Sequence, residues 1–449
     1  MSESKPELRS YFAASGDFAD GSDTPRAFLD RCIAQIEARD GDVKAFACTN
    51  LEAARAAADE ATERWKSGNQ LSPIDGMPVG VKDVMETADM PTEQGSPLFT
   101  GWEGGRDCAA VIALREAGAI MVGKTVTTEF AATHPGATCN PWDLGRTPGG
   151  SSSGSAAGVG CGMLAGGTAS QVIGSTIRPA GYCGAYGYKP SVGGINRGGS
   201  FDGFSQSCTG MIAASLAECW SMTREITSRT GGDAGYVGVT GPMEVPAAKK
   251  PSKVAMLYTA GWANATNDAK AEWLRARDTL AASGIDVQDK DSDAKVAMVE
   301  DAISNAMELS MTINAWEGRW PLDAYNRDMD PSGLSESAHR RLKQALAMTQ
   351  DEFADLLAER ERVRGVYASL KDDVDVCVTL SAPGAAPKGL DWTGDPLFTV
   401  PTSLIGMPTV TLPVLQDEGL PLGLQIIGFI NQDAELFAHA GGIEPLFQS

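Results

Sequence analysis

Pro148-Gly149-Gly150-Ser151-Ser152-Ser153-Gly154-Ser155-Ala156-Ala157 and, after it, Gln171-Val172-Ile173-Gly174-Ser175-Thr176-Ile177-Arg178-Pro179-Ala180 are the two stretches on which the reading of this chain turns. Each carries serine hydroxyls on backbone that glycine allows to approach another group closely. Upstream, Val79-Gly80-Val81-Lys82-Asp83-Val84 sets a cation inside a short apolar run that reads as a strand. Burial disfavours the ammonium and lowers a lysine pKa, by roughly 3 to 5 units in a fully enclosed site. A neutral lysine is a general base, and a base within reach of serine hydroxyls is the material of nucleophilic catalysis. Each piece also has a plainer reading. Gly174-Ser175 alone is a tight turn, Ser151 is a helix N-cap, and Lys82 is the partner of Asp83 in a structural ion pair. No lysine falls within 148–158, so the serine loop lacks the cation of a phosphate-cradling Walker loop.

Taken together, the Gly80-Val81-Lys82-Asp83 segment, the Arg146-Thr147-Pro148-Gly149-Gly150-Ser151-Ser152 loop, and Gln171 to Ala180 with the following Tyr182-Cys183-Gly184-Ala185-Tyr186-Gly187-Tyr188-Lys189-Pro190 resemble the amidase signature family. Gly123-Lys124-Thr125 with Glu129-Phe130, Gly406-Met407-Pro408 and Leu420 to Gly428 are similar to further family segments. The likeness covers about 73–190 and 402–428 and leaves 230–400 unmatched.

The resemblance implies hydrolysis of a carboxamide by a Ser-cisSer-Lys triad. Ser175 is then the nucleophile, Ser151 the relay behind a cis Gly150–Ser151 bond, and Lys82 the base. Backbone N–H groups of Val172, Ile173, Gly174 and Ser175 would hold the oxyanion, donors of a kind that contribute about 3 kcal/mol each to the transition state. Thr147, Gly150 and Ser152 support the relay loop, and Arg146 ties it down. Neither a metal nor an organic cofactor is required by this chemistry. Two departures bear on the substrate. Gln171-Val172-Ile173 stands where the family commonly has Asp-Thr-Gly, and isoleucine narrows that side. Arg178 directly precedes Pro179. It reads first as a buried ion pair holding the loop, and second as a bidentate clamp on a substrate carboxylate. Arg178 and Gln171 are the candidates for substrate contact.

Composition bounds the rest. A chain of 449 residues, 43% hydrophobic, buries a large core without disulfide staples. The formal charge of -21, with no basic tract, argues against nucleic-acid partners. Nine scattered cysteines without a C-x-x-C pair read as reduced thiols, and three distant histidines suggest no metal cluster. The polar start at Met1 and the lack of any apolar run of about 20 residues point away from signal peptide and membrane span. A cytoplasmic protein is expected, as a homodimer by base rate.

The element pattern predicts an α/β class: one amidase-signature-type domain over 1–449, a central mixed β-sheet covered on both faces by helices. Within it, 1–70 reads as an N-terminal helical part, 73–228 as the catalytic core, 230–400 as a variable helical cap and 402–430 as C-terminal core strands. Thr24-Pro25 opens one helix, Leu51 to Lys66 forms another ended by Ser67-Gly68, and Ser152 to Gly162 forms a small-residue helix. In the cap, Thr266 to Ser283 and Ser335 to Lys371 have a helical pattern with many charges. Phe99, Trp102, Trp142, Trp316 and Trp320 are candidates for a pocket wall. The function expected is an amidohydrolase that cleaves a small carboxamide to a carboxylate and ammonia or an amine, carboxylate-bearing and urea-like amides included. The alternatives are an amidotransferase component supplying ammonia to a partner, and a non-catalytic binding protein on the same fold.

Overall fold

The computed structural model, which describes residues 5–447, gathers eleven strands into one mixed sheet. In chain order they are β1 (Phe46–Thr49), β2 (Pro78–Lys82), β3 (Ile120–Thr125), β4 (Gly166–Gln171), β5 (Tyr186–Lys189), β6 (Cys208–Ala213), β7 (Lys253–Met256), β8 (Asp286–Gln288), β9 (Val376–Leu380), β10 (Thr409–Asp417) and β11 (Leu420–Ile427). Across the sheet the order is β1-β3-β2-β4-β6-β5-β10-β11-β9-β7-β8. β2 runs parallel to both β3 and β4. The pairs from β4 through β6, β5, β10 and β11 to β9 are antiparallel. Parallel pairing resumes at β9-β7-β8.

The central strands are buried because both of their faces are apolar or small, which requires cover on both sides. β3 shows how. Ile120 and Val122 pack with the helices Pro25–Val43, Leu51–Ser67 and Ser153–Gly160, whereas Met121 between them packs with Ala109–Glu116 and Leu216–Thr230. Two of those helices, Pro25–Val43 and Leu51–Ser67, keep the signals read from the sequence. The Thr24 side chain accepts from Ala27 N with proline at the first helical position, and Gly68 closes Leu51–Ser67 in the left-handed region at φ 69°.

Residues 230–400, read as a variable helical cap, also contribute strands. Their helices Ala294–Ile303, Ala306–Glu317, Arg319–Asp328, Glu336–Ala347 and Gln350–Ala368 do form a cover, but β7, β8 and β9 extend the sheet itself. β8 is three residues long and opens on exposed Asp286, too short and polar for period-2 alternation to register. The helical pattern over 335–371 resolves into two helices, because Thr349 and Glu352 form a reciprocal capping box that starts the second. The opening Met1–Ser4 lies outside the described residues. Among those described, no helix is long and apolar enough to cross a membrane, and all nine cysteines are free thiols.

The Ser153–Gly160 helix is buried along its whole length. A Cβ added at Gly154 would stand 2.1 Å from Ala45 O and 2.4 Å from Val126 N, and one at Gly160 2.3 Å from Cys183 O. Backbone is the obstacle at both, so repacking of side chains cannot relieve it. Gly154→Ala is expected to lose about 1–3 kcal/mol in denaturant unfolding. Gly365→Ala, in the exposed interior of Gln350–Ala368 with nothing within 4 Å, should gain about 1 kcal/mol.

Candidate active site

β2 ends at Lys82, fully buried, with its Nζ 2.7 Å from Ser151 Oγ, 2.8 Å from Ser170 Oγ and 3.4 Å from Ser170 O. The plainer ion-pair reading fails on geometry. The Asp83 carboxylate belongs to Lys124, 2.9 Å away and equally buried, and also accepts from Glu93 N. Lys124 further donates to Pro91 O and Thr92 Oγ1. Lys82 therefore sits among hydroxyls and a carbonyl with no carboxylate bound to it. Burial depresses its pKa to about 7, opposed only by the field of Asp202.

Ser151 follows a cis Gly150–Ser151 bond, as the resemblance implies, and its carbonyl accepts from Thr128 N at 3.3 Å. Ser152 knits three segments together. Its N–H donates to Ser175 O at 3.3 Å, while its hydroxyl accepts from Ser170 N and donates to Ser170 O. Thr147 Oγ1 accepts from Gly149 N. β4 ends at Gln171 and releases the chain into the Ser175 loop. Among the described residues, the backbone N–H groups of Val172, Ile173, Gly174 and Ser175 make no hydrogen bond to the chain, whereas those of Thr176 and Ile177 do. The Ser175 and Ser151 hydroxyls are not hydrogen-bonded to each other here.

Of the two candidates for substrate contact, Gln171 is turned away from the cavity and Arg178 lines it without the expected ion pair. Gln171 does not face substrate. Its Oε1 accepts from Thr176 N and Ile177 N, and its Nε2 donates to Ser403 Oγ, so this buried amide props the loop from behind. Arg178 is not in an ion pair. Its Nε donates to Thr393 O at 2.9 Å and its Nη2 to Gly150 O at 2.8 Å, tying the two serine loops to 393, while Nη1 has no partner. Arg146 does tie down its loop, donating to Ala386 O and pairing with Asp143 and Glu418.

Ser175 opens onto a cavity of about 420 Å³. Val172, Ile173, Ser175 and Arg178 form one wall, and the cap helices supply Met307, Asn314, Arg340 and Arg341 from another. Of the aromatics that the sequence suggests for a pocket wall, none lines this space. Trp316 stacks on Phe353, Phe99 packs against Trp102 and Phe130, and Trp142 donates to Cys183 O. Phe204 and Trp392 are the aromatics that line it. Sequence reasoning misses Ser170, although the alternation of β4 places it beside Lys82 on the neighbouring strand. Asn314 and Arg341 lie in the unmatched 230–400 region, where no local pattern marks them.

The family profile described as Amidase matches residues 27–437. The chain belongs to the amidase family. This amidase is 30% identical to the A-type component of glutamyl-tRNA(Gln) amidotransferase from Anaeromyxobacter dehalogenans, over 93% of this chain and 92% of that one. The protein of the same name from Lysinibacillus sphaericus is also 30% identical, over 90% of each chain. Among solved structures, one described as a crystal structure of amidase superimposes with a TM-score of 0.83 at 26% identity, covering 97% of this chain and 99% of that one. Native peptide amidase from Stenotrophomonas maltophilia shares the fold at a TM-score of 0.79 and 22% identity, over 97% and 96% of the two chains.

If Asp83 serves Lys124 in this amidase, removing one partner strands a buried charge. Lys124→Met is expected to cost about 3–5 kcal/mol in denaturant unfolding. A loss under about 1 kcal/mol would contradict that assignment.

Proposed function

We propose that this amidase hydrolyses the C–N bond of a small carboxamide through a covalent ester on Ser175. The observation that carries the proposal is Lys82: buried, without a bound carboxylate, its pKa lowered to about 7, and 2.7 Å from the Ser151 hydroxyl. Neutral Lys82 accepts the Ser151 proton as Ser151 takes the proton of Ser175. The Ser175 oxygen bonds to the amide carbon, and the carbonyl oxygen gains negative charge against the free N–H groups of 172–175. The C–N bond then breaks as the proton returns through Ser151 to the departing nitrogen, releasing ammonia or an amine. Water repeats the path, its proton going to the relay and its oxygen to carbon, and frees the acid and Ser175.

On this reading residues 73–228 hold the chemistry and the helices of 230–400 select the substrate. The nine free thiols favour a reducing cytoplasmic setting. A second reading, a protein that supplies ammonia to a partner, is favoured by the relatives named as amidotransferase components. Glutaminase activity that appears only when such a partner is added would decide for it.

Ser175→Ala is expected to lower kcat at least about 1,000-fold with the fold intact by circular dichroism. Substantial retained activity would sink the mechanism. Lys82 is inactive as a base when protonated, so kcat/KM should fall about tenfold per pH unit below about 7 and level off above it. A flat profile between about pH 5 and pH 9 would exclude Lys82 as the titrating base.

A further inference from the structure

The cavity beside Ser175 departs from the charge of the chain that encloses it. Asp and Glu number 58 against 37 Lys and Arg in the whole sequence, yet the cavity wall contains three arginines, Arg178, Arg340 and Arg341, and no aspartate or glutamate. Arg340 is at the exposed rim and pairs with Glu336 at 3.4 Å. Arg341, half-buried on the helix Glu336–Ala347, makes no salt bridge among the described residues, and its Nε is buried without a hydrogen-bond partner. The acid whose field reaches it, Glu129, is occupied by the backbone N–H and hydroxyl of Ser335.

Asn314 stands with it. This residue, on the helix Ala306–Glu317, is only 5% exposed, lines the same cavity, and has neither Nδ2 nor Oδ1 paired within the chain. Buried polar groups are ordinarily satisfied, and unsatisfied ones clustered on a cavity wall call for a ligand. Guanidinium and amide N–H groups together are donors for an acceptor-only group such as a carboxylate. Met307, Met311 and Phe204 supply apolar wall in the same space. An ammonium would meet Arg341 and Arg178 with no aspartate or glutamate on the cavity wall to receive it, and like charges repel.

Resting on the amidase reading, we propose that the substrate is an amide whose remote end is a carboxylate and which bears no ammonium, such as the monoamide of a dicarboxylic acid. Arg341 and Asn314 bind the carboxylate, and Ser175 attacks the amide at the other end. The same cavity discriminates against the amino acid glutamine, because the wall has no acid to receive its α-ammonium. Arg178, fixed to Thr393 and Gly150, holds the loops at the reacting end.

The test is ammonia release by the full-length protein from glutaramate, L-glutamine and valeramide, which share a five-carbon amide skeleton and differ in charge. Succinamate and adipamate bracket the length. The best monoamide should exceed L-glutamine at least about 100-fold and valeramide at least about tenfold in kcat/KM. In Arg341→Met and in Asn314→Leu the glutaramate-to-valeramide ratio should collapse about tenfold or more, with partial recovery in Arg341→Lys. Equal turnover of glutamine and glutaramate, or an unchanged ratio in Arg341→Met, overturns the proposal. Calorimetric titration of Ser175→Ala with glutaramate and L-glutamine separates this from the amidase reading. Binding of glutaramate over glutamine, lost on adding Arg341→Met, supports the anion site even if no amide is cleaved. Equal or absent binding of the two refutes it.

Discussion

Lys82 is enclosed without a counter-charge, and the architecture around it follows from that constraint. A buried ammonium facing only hydroxyls and a carbonyl loses much of its hydration, and burial is the largest influence on its pKa. To keep it so, the neighbouring carboxylate must be drawn elsewhere. Lys124 on β3, the strand beside that of Lys82, does this by taking Asp83 at 2.9 Å. One pair is structural, and the other lysine is left without a carboxylate partner.

The hydroxyls that face Lys82 are placed by the sheet and by the small-residue helix. β2 and β4 run side by side, and from β4 comes Ser170, which meets both the Lys82 Nζ and the Ser152 hydroxyl. Ser153–Gly160 packs its glycines against the backbone of Ala45, Val126 and Cys183, which holds the Ser151 end of the loop at the strand ends. Gln171 and Arg178 brace the second loop from the rear and the side. What remains unbraced is the run of N–H groups from 172 to 175, in a loop whose Val172, Ile173 and Ser175 line a cavity that helices distant in sequence also wall.

Legibility in the sequence follows the range of the interaction concerned. Lys82, Ser151 and Ser175 sit in short motifs whose glycines and apolar runs are local signals, and the helix limits at Thr24 and Gly68 are local too. Gln171 reads as a substrate contact, yet its amide turns back to Thr176, Ile177 and Ser403, a choice set by tertiary packing. Arg178 reads as half of an ion pair and instead satisfies carbonyls from two loops, one of them 215 residues away in sequence. Asn314 and Arg341 acquire meaning only when two cap helices meet over the sheet. β7, β8 and β9 are hidden by their shortness, and the aromatics expected in the pocket are engaged elsewhere, Trp316 on Phe353 and Trp142 at Cys183 O.

The protonation of Lys82 is directly measurable. With lysine Cε carbons labelled with carbon-13, the Cε resonance of Lys82, assigned by Lys82→Met, can be followed through a pH titration of the Ser175→Ala protein. A midpoint at about 7 is expected from its burial. A midpoint near the ordinary lysine value of about 10.4 would mean an ammonium at neutral pH, and would contradict the role of Lys82 as the base.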